Sequence, residues 1–157
     1  MQAIPHLSAA ELLALYRSGQ LSPVEATQAI LDRIARLNPL VNAYCVVDPD
    51  AALADARASE ARWQRHRHEG APVGALDGVP TSIKDLILTR GWPTLRGSRT
   101  IDPTQPWDTD APVTARLREA GAVLLGKTTT PEFGCKAETN SPLHGITRNP
   151  WKLTCTP

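Results

Sequence analysis

Several residue types are scarce in this 157-residue chain, and each shortage closes off a class of function. Aromatics make up 4%, with one Phe, two Tyr and four Trp, too few for the stacking platforms that hold single-stranded nucleic acid. Neither sign of charge is in excess: seventeen basic against sixteen acidic side chains leave a net charge of +1, which offers no electrostatic footprint for nucleic acid or an anionic membrane surface. No apolar run approaches the ~18 residues of a membrane span, and MQAIPHLSAAELL has no basic segment leading into an apolar one, so it does not read as a secretory signal. The three cysteines, Cys45, Cys135 and Cys155, are odd in number, far apart and without a C-x-x-C pair. They read as reduced thiols of a cytoplasmic protein, forming neither a disulfide framework nor a zinc site. Lysine is rare beside arginine, four to thirteen. What remains is a soluble chain of one-domain size, with 41% hydrophobic residues to build a core.

Helix signals dominate the first seventy residues. Ser8 with Glu11 forms a capping box. Leu12, Leu13 and Tyr16 follow as an apolar stripe, and Gly19 ends the helix. Ser22-Pro23-Val24-Glu25 repeats the box with proline at the first helical position, and Ala26, Ile30, Ile34 and Leu37 continue at helical spacing to a stop before Pro39. Val41 to Val47 reads as a strand. Asp48-Pro49 opens a third helix, from about Asp50 to His66, and a linker runs from Gly70 to Gly78.

Beyond Pro80, Thr81 to Ile87 reads as a strand entering a loop, and Gly91 to Asp110 as irregular. A helix capped by Asp110 closes at Gly121, and Ala122 to Leu125 reads as a short buried strand. The last thirty-two residues, from Gly126, keep no periodicity and read as a loop leading into structure that follows. Alternating helix and strand signals predict an α/β fold with helices on a sheet.

Five features bear on chemistry. Gly121 to Thr128 spells G-x-x-x-x-G-K-T, but a phosphate loop needs a strand before it and a helix after it. Here the order is inverted, so a strand leaving a helix is expected. His6, His66, His68 and His144 have no carboxylate or cysteine at metal-ligand spacing, and His66 and His68 read as a solvated helix end. Cys135 reads as a small apolar filler. Lys84, in VPTSIKDLIL, is flanked by Ile83, Leu86, Ile87 and Leu88. A lysine held away from water can become a neutral base, whereas an arginine cannot be deprotonated; the other reading is an ion pair with Asp85 or a side chain snorkelling to solvent. Ser82 shares the strand face of Lys84, but neighbours two apart sit ~6.5–7 Å from each other, too far for a hydrogen-bonded nucleophile and base.

The strings LDGVPTSIKDLI, GWPTLRGS, DTDAPVTARLREAGAVLLGKTTTPEFG and HGITRNPW follow one another across residues 74–157. In that order they resemble the N-terminal part of the amidase signature family, which includes bacterial amidases and the A subunit of tRNA-dependent amidotransferases. The resemblance implies an α/β fold, the N-terminal part of a mixed β-sheet flanked by helices, incomplete here. Residues 1–157 would be the N-terminal portion of a single amidase domain: 1–70 the lead-in helices and strand, 74–157 the start of the catalytic core. It implies a Ser–cis-Ser–Lys triad in which Lys84 is the base, hydrolysis of a small amide substrate to acid and ammonia or amine, no metal or organic cofactor, no direct nucleic-acid or membrane partner, and a possible homodimer of the full-length protein. The bridging and nucleophilic serines of the family follow the Thr-Pro that matches Thr156-Pro157, and none of the chain's seven serines maps onto either. The chain by itself is expected to be inactive. Two alternatives accompany this reading: a glutamine-hydrolysing A subunit using the same Lys84 chemistry, and a truncated binding or structural module without catalysis.

Overall fold

Residues 3–157 are described by a computed structural model of the chain, which divides into two units. The first comprises the residues up to Ile34, Asp48–Thr81 and Ala115–Leu125; the second comprises Ala35–Val47, Ser82–Thr114 and Gly126–Pro157. The chain visits both repeatedly, so the secondary-structure elements are best followed in sequence order.

Helix α1, Ala9–Ser18, begins at the capping box expected of Ser8 and Glu11: Glu11 N–H donates to Ser8 Oγ, and Ser8 N–H donates to Glu11 Oε2 at 2.7 Å. It ends at Gly19, whose left-handed φ of 73° releases the chain. Helix α2, Pro23–Val41, has the second box, with Ser22 N–H on Glu25 Oε2 at 2.8 Å. It runs past Pro39, a correction to the expected stop. Proline restrains chiefly the residue before it and the bond to the carbonyl four residues back, and one turn from a helix end that cost is small enough for the helix to close on Asn42 N–H to Asn38 O at 2.7 Å.

Helix α3, Pro49–Glu69, is capped by Asp48, whose side chain accepts from Ala51 N–H, and ends at Gly70. Its buried residues, Ala52, Ala56, Ser59 and Trp63, recur at helical spacing and define the face it turns inward. Trp63 packs with Leu12, Tyr16 and Ala26 as the apolar core of the first unit, with Leu7, Leu13, Leu21 and Val73 around it. The rings of Tyr16 and Trp63 lie 6.1 Å apart and tilted. Their polar ends are satisfied by backbone: Tyr16 Oη donates to Gly78 O at 3.2 Å and Trp63 Nε1 to Asp77 O at 3.1 Å.

Strands β1 (Tyr44–Val47), β2 (Pro80–Lys84) and β3 (Val123–Thr128) form a sheet in the order β1-β3-β2. β1 and β3 are antiparallel. β2 and β3 ascend together, Val123 N–H meeting Val79 O and Asp85 N–H meeting Thr128 O at 2.9 Å, so the sheet is mixed. Helix α4 is Pro112–Glu119, and a small hairpin, β4 (Asn140–Ser141) and β5 (Gly145–Ile146), lies in the last thirty residues. The expected alternation of helix and strand is therefore present, with two changes. β1 starts three residues later than Val41, and β3 extends three residues beyond Leu125, because Gly126, Lys127 and Thr128 pair with β1.

That extension accounts for the apparent phosphate loop. Gly121 closes the α4 turn at φ 83° with Asp77 so near that an added Cβ would come within 2.9 Å of its Cα. Gly126 sits at φ 149° in β3, where a Cβ would collide with Val46 O. Both glycines are there for turn and strand packing, as the inverted order implied.

Candidate active site and the buried aspartate cluster

In a strand, neighbours point to opposite faces, and this decides the fate of Lys84. Ile83 is 2% exposed and Asp85 1%, so the residue between them faces the other way and Lys84 is exposed. The expectation that its apolar neighbours hold the amine away from water is thus corrected within these 157 residues: Ile83 and Lys84 share a strand but not a face. The backbone of Lys84 is nevertheless well anchored. Its carbonyl accepts from Ile87 N–H at 3.0 Å, and the next residue's N–H is held by Thr128 O. Ser82, two residues back on the same face, is bonded through Oγ to Tyr44 Oη at 2.5 Å, a partner that accounts for the serine without a catalytic role.

The buried lysine is another one. Lys127 is fully buried in β3, with its Nζ 3.1 Å from Asp85 Oδ1 and 3.2 Å from Pro93 O, and bonded also to Thr94 Oγ1. Three donors thereby meet three acceptors, the condition for a buried ammonium. Sequence reading passed over Lys127 as part of a rejected motif. The available signal was a lysine inside the uninterrupted buried run of a central strand, a position that demands a carboxylate partner.

Asp85 is the hub of this cluster. Oδ1 receives Lys127; Oδ2 receives Gly97 N–H at 3.3 Å and lies 3.8 Å from His144 Nε2. Burial by itself would raise its pKa, but His144, Lys127 and the Gly97 amide outweigh it and hold the carboxyl below the usual range. Burial pushes the Lys127 ammonium down, with Asp85 opposing it. His144, which no sequence spacing tied to a ligand, thus folds next to a carboxylate, and Cys45 joins them.

The other candidates disperse. Cys135 is exposed, so it fills no core, which corrects that reading. His66 caps its helix end through Nδ1 to Ala71 O at 2.7 Å and stands edge-on to Trp63, and His68 is exposed, as expected of a solvated helix end. The last thirty residues are irregular but less free than anticipated. Asn42 Nδ2 donates to His144 O and Ile146 O, Arg148 N–H to Val41 O, and Thr147 Oγ1 to Asn42 O, burying Ser141 and Thr147. Among the described residues no helix is long and apolar enough to cross a membrane.

Comparison with known proteins places this geometry in a family. The A subunit of the glutamyl-tRNA(Gln) amidotransferase of Thermobifida fusca is 46% identical over 152 residues, covering 96% of this chain and 29% of that protein. Its counterpart in Salinispora arenicola is 43% identical over 157 residues, covering 100% of this chain and 31% of the other. Among solved structures, a bacterial aryl acylamidase of the amidase signature family matches with a TM-score of 0.82 at 35% identity, over 94% of this chain and 30% of that one. The native peptide amidase of Stenotrophomonas maltophilia matches with a TM-score of 0.81 at 34% identity, over 95% and 31%. The chain spans about 31% of the length of the curated relatives it matches. The Amidase family pattern itself covers residues 25–157, and with this match and these identities the chain belongs to the Amidase family.

Proposed function

We propose that this chain supplies Lys84 as the general base of an amide-hydrolysing Ser–cis-Ser–Lys site, as the N-terminal portion of one amidase domain, with 1–70 as lead-in and 74–157 opening the catalytic core. The two serines come from polypeptide outside these 157 residues. The observation that carries the reading is the alternation at the end of β2: Ile83 and Asp85 are buried and pin the strand, while the Lys84 amine projects free. A fixed backbone with an uncommitted amine suits a base that must meet groups from elsewhere. The desolvation that favours a neutral amine then comes from the same polypeptide that brings the serines.

In this mechanism neutral Lys84 accepts a proton from the bridging serine, which takes one from the nucleophilic serine as its oxygen attacks the amide carbonyl. Backbone N–H groups stabilise the oxyanion. The C–N bond breaks as the proton passes from Lys84 to the leaving amine, and water then hydrolyses the acyl-enzyme to the free acid.

The test is a chimera in which residues 1–157 replace the matched segment of the Thermobifida fusca relative. Ammonia release from a carboxamide is expected, and Lys84→Ala should reduce it by about 10²–10⁴-fold. A chimera that folds but releases no ammonia, or one indifferent to Lys84→Ala, rejects the reading. A second reading, glutamine hydrolysis by an amidotransferase A subunit with partner subunits, is favoured by the identity of both curated relatives. Preference for glutamine over simple carboxamides in the same assay selects it.

A further inference from the structure

Within the second unit three chemically different donors converge. The Cys45 sulfur, an Asp85 carboxylate oxygen and a ring nitrogen of His144 lie within 4.8 Å of one another. They come from three separate parts of the sequence, and each is aimed by an identifiable feature. The register of β1 on β3 shifts between Tyr44 and Val46, which makes Cys45 the extra residue of a bulge, and a bulge re-aims a side chain. The backbone of His144 is held on both sides, its N–H on Ser141 Oγ at 3.0 Å and its carbonyl accepting from Asn42 Nδ2 at 2.7 Å. Asp85 is divided between two tasks: Oδ1 is taken by Lys127, and Oδ2, which accepts from Gly97 N–H at 3.3 Å, also faces His144.

The arrangement leaves one atom unexplained. His144 Nε2 is buried and has no hydrogen-bond partner, since its 3.8 Å separation from Asp85 Oδ2 is too long for one. An orphaned buried ring nitrogen is costly and calls for a reason. A cation bound between this nitrogen, the Cys45 sulfur and Asp85 Oδ2 gives the orphaned ring nitrogen a partner and draws on all three donors together.

We propose that Cys45, Asp85 and His144 bind one divalent ion of the zinc class. The mixed sulfur, nitrogen and oxygen set suits a borderline ion and not magnesium or calcium, which take oxygen ligands. Bonds of ~2.0–2.3 Å place tetrahedral ligand atoms ~3.3–3.8 Å apart, so the donors need to close by about 1 Å, and a fourth position stays open to water. Charge balances acceptably with Lys127 in place. Without the ion the thiol, carboxylate and ammonium sum to zero; with it the thiolate, carboxylate, ammonium and dication sum to +1. Burial, with Asp85 adding to it and Lys127 opposing, pushes the Cys45 thiol up to about 11. Binding therefore breaks the S–H bond, releases that proton to solvent and leaves the sulfur's electron pair on the ion. The site stands apart from the Lys84 reading and does not depend on it.

Titration of the whole reduced chain with Co²⁺ tests the proposal. One Co²⁺ per chain is expected, with the near-ultraviolet charge-transfer absorption of a thiolate ligand, displaced by Zn²⁺. Cys45→Ser should abolish that absorption, and His144→Ala should weaken binding by at least about tenfold. The double variant Cys135→Ser/Cys155→Ser, which removes both exposed thiols, should bind like the parent. No saturable binding, or absorption that survives Cys45→Ser or vanishes in the double variant, overturns the site. Should the ligand variants fail to fold, the ¹⁵N resonance of His144 Nε2 in the unaltered chain decides: a coordination shift on adding one equivalent of Zn²⁺ supports the site, and an unchanged resonance overturns it.

Discussion

The two units build their interiors from different materials. Among the described residues, the first buries Leu12, Tyr16, Leu31, Trp63 and the run Ala122–Leu125, an ordinary apolar core; the second buries only Ile83 and Trp92 of that kind and fills its interior with Asp85, Lys127 and hydroxyls such as Thr89, Thr94, Thr130 and Ser141. Exposure runs the opposite way. The large apolar side chains left in solvent, Leu40, Val113, Phe133, Ile146, Trp151 and Leu153, all belong to the second unit. So do the non-glycine residues at positive φ, Asn42, Arg96 and Phe133. Interiors held by polar networks have high stakes, because each missing partner exposes a full desolvation cost, and strained backbone gathers where structure serves chemistry.

Two aspartates, eight residues apart in the sequence, make the contrast concrete. Asp77, in the first unit, is bonded on every side: Ser59 Oγ at 2.5 Å, the Arg62 fork at 2.7 and 2.8 Å, and Gly74 N–H at 3.3 Å. Arg62 remains 35% exposed, so this charge is partly shared with water. Asp85 relies on a lysine with no solvent contact, and its other oxygen has only the longer bond from Gly97 N–H at 3.3 Å. The first is an anchor; the second keeps capacity to bind.

The largest expected effect comes from attacking the second network. Lys127→Met strands the Asp85 carboxylate and should cost about 3–5 kcal/mol, whereas the Asp85→Asn/Lys127→Met pair, which removes both charges, should cost markedly less. Urea unfolding of the three proteins measures the difference, and equal losses in the single and double variants would put Asp85 and Lys127 outside a shared pair. Arg62→Ala in the first unit should cost about 2 kcal/mol, less than Lys127→Met because water can reach the site. If it cost more, the contrast between the aspartates would be reversed.

Acid provides a subtler probe. Asp85 has a lowered pKa when folded. Its contribution is therefore present above the unfolded value, about 3.9, and disappears as pH falls through the folded one. Stability of the parent should drop more steeply than that of Asp85→Asn below about pH 4, and superimposable profiles would contradict the shift. The smallest effect is local. Ser8→Ala opens the capping box and should cost about 1 kcal/mol in the same unfolding measurement, leaving the Asp85 network untouched.

Both capping boxes and the glycine stop of α1 were legible from the sequence because they depend on residues a few positions apart. The rejection of the phosphate loop was also legible, since element order is local information. The length of β3 was not, because Gly126 to Thr128 become strand only through pairing with β1. The environment of Lys84 was inferred from its neighbours in sequence, whereas strand alternation sends Ile83 and Lys84 to opposite faces. Lys127 escaped notice for the converse reason: its partner, Asp85, lies forty-two positions away.

The order of amino acids by itself determined where α1 begins and ends, where α2 and α3 are capped, and which sequence blocks the chain carries. Tertiary structure alone decided which lysine is buried, which aspartate pairs with it, and that a cysteine, an aspartate and a histidine from three distant segments meet. Caps and periodicities are written within a few residues, whereas burial and convergence exist only once remote strands have paired and fixed which side chains share a face.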